Sequence, residues 1–372
     1  MTIFKALSAD DRVSTKTLLH EAIPITGTIV SGTYGTFPND TNVQNFTHGM
    51  FQSVYDYPYL SSSANHIFDI SIGTATTGLA TTTQTAKKDN IYNQMAQVLM
   101  GYDKDGVIQK FDEDGDITAG GNTIDNAIFL SFSRLLVKDE IKKGSFELEL
   151  GVNEAYATPM TSRIKIVDQG AATSYRVNSP AGEYGILYAT SSVGDVLDTT
   201  STHTASIGGN TYWRAGLIYY QAGVAVLTSS VLCATASIGG NGFLEDIGAS
   251  VLDFDGSGTT LTGSIVSQEI SASADFLRHR IYNLQFNNTI ELNSTIYFCR
   301  AKHNEFNYSS NPTYLSGSQV RVKDNTTDIP ISYITSIGLY SADNTLLAVG
   351  KFSEPIRKDS NIELTFRARL DY

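Results

Sequence analysis

Apolar residues recur two positions apart along much of this chain, and that period constrains the fold more than any other feature. Ile290 and Leu292, Ile296 and Phe298, Val320 and Val322, and Ile337 and Leu339 are pairs of this kind, and Ile362, Leu364, Phe366, Ala368 and Leu370 form an unbroken series. Phe146, Leu148 and Leu150 alternate with Ser145, Glu147 and Glu149, and Ile128, Leu130 and Phe132 repeat the spacing. A period of two turns successive side chains to opposite faces of a strand, so one face can be buried while the other stays wet. Clusters of Gly, Asn, Ser and Pro punctuate these runs as turns. The expected fold is mainly β with a few α-helices, in antiparallel sheets or sandwich-like β domains. A chain of 372 residues exceeds the usual size of one domain, and the organisation expected is a β-rich part over 1–157, a middle β domain over 158–266, and a helix followed by antiparallel strands over 267–372.

Two segments break the period. Ile91, Met95, Val98 and Leu99 fall at helical spacing, with Asp89 as N-cap and Gly101 just past the end, which predicts a helix near 89–100. Ile270, Ala274, Leu277 and Ile281 recur every three or four residues and predict a second helix over 268–282, with Glu269, Asp275, Arg278 and Arg280 on its other faces. Short strands are expected at 163–167 and 184–189, a hairpin at 217–228, and a charged hairpin loop at 138–144. The sequence TASIGGN occurs at 204–210 and 235–241 and reads as two similar turns.

The formal net charge of −12 opposes binding to a phosphate backbone, so nucleic acid is not an expected partner. Charges interrupt every apolar run of the first 24 residues, which is unlike a signal peptide. No apolar stretch approaches the roughly 18 to 20 residues that a membrane helix needs, and a soluble protein made in cytoplasm, without a membrane partner, is expected. Cys233 and Cys299 lie far apart in apolar contexts and are expected as reduced thiols.

Signs of chemistry are sparse. The aspartates Asp103, Asp105, Asp112, Asp114 and Asp116, and the pair Asp253 and Asp255, offer the oxygen ligands that calcium takes, but neither stretch has the spacing of a calcium-binding helix–loop–helix, and Asp-Gly also marks tight turns. They read as solvated hairpin tips. The six histidines are scattered, without zinc spacing, and no nucleophile motif or phosphate loop occurs. No catalytic residue, metal ligand or cofactor is assigned, and the chain is not expected to be an enzyme.

The 20 tyrosines and 17 phenylalanines are more informative. Tyr55, Tyr57 and Tyr59 cluster beside Pro58. Phe306, Asn307, Tyr308, Asn311, Pro312 and Tyr314 form a second group, in which large amphipathic rings, amides that donate and accept, and a stiffening proline suit a subunit contact. The stretch EFNYSSNPTY at 305–314 is the most specific part of a resemblance. With YFCRAKH and YLSGSQVRV around it, the end of the chain from 333 to 372, and RAGLIYYQAGVAVLT at 214–228, it resembles virion structural proteins of tailed bacteriophages, including contractile-tailed phages of the T4-like kind. That resemblance implies a structural subunit of the virion, synthesised in the host cytoplasm and assembling with other virion proteins and copies of itself. Tail or baseplate is the expected place, ahead of neck or capsid exterior. The alternative is a virion-associated receptor-binding or polysaccharide-degrading spike.

Overall fold

The computed structural model describes residues 4–26, 30–75, 82–117, 122–132, 135–136, 139–191, 203–233, 243–246, 252–258, 265–308, 315–316, 319–320, 327 and 329–371. The protein is mainly β, as the period of two predicts. Contacts divide the chain into two compact units, Leu19–Ile290 and a smaller one made of Met1–Leu18 with Glu291–Tyr372. The boundaries expected near 157 and 266 both fall inside the larger unit.

The larger unit is built on one sheet. Its strands are the second half of β1 (Arg12–Thr26), β2 (Val43–Asn45), β3 (Phe51–Tyr55), β4 (His66–Thr74), β5 (Asn126–Ser131), β6 (Glu140–Ile141), β7 (Glu147–Gly151), β8 (Arg163–Val167), β9 (Tyr184–Ser191), β10 (Thr204–Ile207), β11 (Asn210–Tyr219), β12 (Val224–Thr228) and the first half of β13 (Ile281–Ala301). They run in the order β13-β7-β8-β9-β11-β12-β5-β4-β3-β2, with β10 on β11 and β6 on β13. The β11–β12 hairpin has the expected place, with Leu217 opposite Val226 and Gly223 at φ 64° closing the turn. Leu148 and Leu150 are buried on β7, while Glu147 and Glu149 pair across the strand with Lys165 at 3.1 Å and Arg163 at 3.2 Å.

Two helices cover this sheet. Helix α1 (Thr83–Leu99) begins six residues before the expected start, because Thr82 and not Asp89 is its cap: the Thr82 hydroxyl accepts the Thr85 N–H at 3.1 Å. Asp89 instead accepts from Thr74 at 3.0 Å, and Gly101 does lie past the end, at φ 80°. Ile91, Tyr92, Ala96 and Leu99 are buried against the sheet, whereas Val98 is exposed. The approach is so close at β4 that a Cβ on Gly73 would stand 3.0 Å from the Tyr92 backbone and 2.8 Å from the Phe129 ring. Tyr92, Phe111 and Phe129 then stack edge to face with centroids 5.3 to 6.5 Å apart.

Helix α2 (Ile270–Arg280) buries Ile270, Ala274 and Leu277 as expected, then passes directly into β13. Its arginines are as buried as its apolar face. Arg278 donates to Asp40 at 2.6 Å and to the Val30 carbonyl at 2.8 Å, and Arg280 donates to the carbonyls of Gly151, Asn153 and Asp253. These are structural clamps, since a buried guanidinium is tolerated only when paired.

The described part of the stretch 138–144 is not a hairpin loop. Within it Glu140 and Ile141 form β6, buried against Thr289 and Asn288 of β13, and β5 and β7 are not neighbours. The buried Asp168 fixes the following turn by accepting the N–H groups of Gly144 at 2.6 Å and Phe146 at 3.1 Å. The first TASIGGN forms the turn between β10 and β11, with Gly208 and Gly209 at positive φ; the second lies outside the described residues. Cys233 is buried and Cys299 half-buried.

In the smaller unit, β18 (Leu364–Asp371) pairs with the second half of β13, and Ser14 of β1 lies 3.2 Å from Thr295. A long hairpin of β16 (Ile331–Tyr340) and β17 (Leu346–Asp359) forms a separate two-stranded sheet, as do the short β14 (Leu315–Ser316) and β15 (Gln319–Val320).

Candidate functional site

Apolar side chains stand exposed on the smaller unit. Among its described residues Ala301 is the one buried apolar side chain, and the hydrophobic core of the protein, from Val30 to Phe286, includes none of its residues. Leu364, Phe366, Ala368 and Leu370 keep the predicted alternation on β18 but are only half-buried. On the hairpin, Tyr333, Tyr340, Leu346, Leu347 and Val349 are exposed, Leu347 by 66% and Val349 by 61%. Phe352 meets Phe366 at 4.8 Å, and Tyr340 meets Phe4 at 4.8 Å. An isolated two-stranded hairpin is marginal in water.

What orders the base of this hairpin is polar. Lys358 is fully buried, and its ammonium donates to Asn307 Oδ1 at 2.6 Å, to the Asp359 carbonyl at 2.8 Å and to the His303 carbonyl at 3.3 Å. Ser332 donates to the Phe306 carbonyl, and Phe306 sits at φ 56°. The predicted contact loop is therefore divided. Phe306 and Asn307 are half-buried in this polar knot, with Asn307 Nδ2 also donating to His303 O at 2.8 Å, while Tyr308 is 49% exposed. Asn311, Pro312 and Tyr314 lie outside the described residues.

A different constellation stands in the larger unit. Among the described residues, Asp112, Asp114 and Asp116 are the group whose His, Cys, Asp or Glu ligand atoms are close enough to share an ion, all within 4.8 Å. Asp112 is buried, contrary to the solvated hairpin tip expected: its Oδ2 accepts the N–H groups of Asp116 at 3.0 Å and Ile117 at 2.9 Å, and Oδ1 has no hydrogen-bond partner. Burial, reinforced by the Asp114 and Asp116 carboxylates and opposed by the Ile117 N–H, pushes the Asp112 carboxyl up to about 6. Glu113, also buried, lies 2.8 Å from His203 Nδ1. The turn is held by β9, β11 and the segment before β9: Tyr184 donates to the Gly115 carbonyl at 3.2 Å, Arg176 to the Asp114 carbonyl at 3.1 Å, and Arg214 stands 3.9 Å from Asp114 Oδ2.

Asp114, Arg176 and Arg214 also line a pocket of about 420 Å³ with Tyr188, Thr173 and Ser206. The aspartates stand out in the sequence but these arginines do not: they are 38 residues apart, and Arg176 comes to the site by bridging Tyr184 at the start of β9 while Arg214 pairs with Tyr188 of the same strand. The other acidic turns are ordinary: Asp103 accepts from the N–H groups of Asp105 and Val107, Asp253 from Gly256, and Asp255 from Ser257. Among the described residues no helix is long and apolar enough to cross a membrane. No protein family, curated protein or solved structure matches the chain.

Proposed function

We propose that the chain is a structural subunit of a tailed-phage virion, placed in tail or baseplate, which assembles with copies of itself and other virion proteins through its smaller unit. The observation that carries this reading is the missing core. A unit whose strands alternate as regularly as those of the larger one buries a single apolar residue among those described, Ala301. Burial contributes roughly 25 cal/mol for each Å² of apolar surface removed from water, so strands that leave Leu347, Val349 and Tyr333 exposed forgo that term until another chain covers them. The resemblance of 297–322 and 333–372 to phage virion proteins supplies the class of particle. Function of this kind is binding, with no reaction required.

The test is sedimentation of the full chain at rising concentration, with the double variant Leu347→Asp, Val349→Asp beside it. The wild type should form oligomers, and the variant should stay monomeric with a melting temperature near that of the wild type. A variant that melts many degrees lower and still associates would refute the proposal, since those side chains would then belong to the subunit's own core.

A further inference from the structure

We propose that Asp112, Asp114 and Asp116 form a binding site for a divalent cation, calcium by its chemistry. Carboxylates at alternate positions of one turn would be an ordinary solvated loop but for the state of Asp112. That residue is 5% exposed, and its Oδ1 is a buried carboxylate oxygen that no protein donor reaches. The acidic turns at Asp103 and at Asp253 and Asp255 accept backbone N–H groups from their own loops. Here the N–H groups of Asp116 and Ile117 hold Oδ2 alone. A carboxylate taken out of water needs a counter-charge, and the nearest protein cations do not supply one. Arg214 is 3.9 Å from Asp114, Arg176 donates to the Asp114 backbone, and His203 is paired with Glu113.

The donor set is oxygen alone, which excludes the nitrogen and sulfur preferences of zinc or copper and suits a hard cation. Calcium accepts irregular oxygen shells, whereas magnesium demands a near-octahedral one. Three carboxylates within 4.8 Å, one buried, one half-buried and one exposed, leave the solvent side open to water ligands. The bound ion would tie 112–116 to β9 and β11 through the contacts that Tyr184, Arg176 and Arg214 already make there.

The probe is terbium, which takes calcium sites and luminesces when excited through a nearby tyrosine, here Tyr184, whose hydroxyl is 3.2 Å from the Gly115 carbonyl. The full chain, stripped with chelator, should give terbium emission that calcium displaces, and calcium should raise its melting temperature. Asp114→Asn and Asp116→Asn alter the less buried members, so they keep the test valid even if Asp112→Asn fails to fold. Each should weaken calcium binding at least about tenfold, as loss of groups at a metal site does, while Asp105→Asn in the neighbouring turn should not. Emission that calcium leaves unchanged, an affinity equal in both variants to that of the wild type, or a melting temperature indifferent to calcium would overturn the proposal.

Discussion

The two units are written in the same alphabet and reach different ends. In the larger one the apolar faces are covered within the unit, so that Phe129, Trp213, Leu217 and Tyr219 are buried to within 1%. In the smaller one Leu364, Phe366, Ala368 and Leu370 alternate just as strictly and remain half-exposed. A period of two specifies a strand with one apolar face, but not whether the cover for that face is in the same chain. The difference separates a scaffold that covers its own apolar faces from a surface that, on the function proposed above, is completed by assembly.

The widest test of that contrast is one truncation in each unit. Phe129→Ala removes a ring packed against Tyr92 and Phe111 and should cost about 3–5 kcal/mol in the melting of the free chain. Phe366→Ala, made on a half-buried face, should cost about 1 kcal/mol or less. Equal losses would mean that the smaller unit has a core of its own.

A second test is confined to the larger unit. Burial pushes the Asp168 carboxyl up to about 7, against the N–H groups of Gly144 and Phe146 and the Tyr220 hydroxyl that favour its ionised form. The folded state thus holds a proton on Asp168 that the unfolded chain has already released above its ordinary carboxylate range. Stability from this group is present in acid, falls as pH rises from about 4 toward 7, and is level above that, amounting to roughly 4 kcal/mol at most. Asp168→Asn should remove that slope, as seen in the difference between the two melting curves across this window. A slope unchanged in the variant would assign the titration to another group, of which Asp112 is the first candidate.

Much of the larger unit was legible in the sequence. Strands β8 and β9, the β11–β12 hairpin and the apolar face of α2 follow from local period and turn residues. The start of α1 did not, since Thr83 to Asn90 offer only Ala86 as an apolar residue before Ile91, too little to mark a face. Burial of Arg278 and Arg280 was invisible because their partners Asp40, Gly151, Asn153 and Asp253 are distant in the chain. The same holds for β6, whose partner lies on β13. The units part within β1 and β13, where the strands run on without a change of composition. At the acidic turn the spacing was plain, but the burial of Asp112 depends on β9 and β11.

Hydrogen–deuterium exchange of the full chain, first dilute and then associated, tests the central claim most directly. Amides of β9 and β11 should exchange slowly in both states, whereas those of β16 and β17 should exchange quickly in the monomer and become protected on association. Hairpin amides as slow in the monomer as those of β11 would contradict the account.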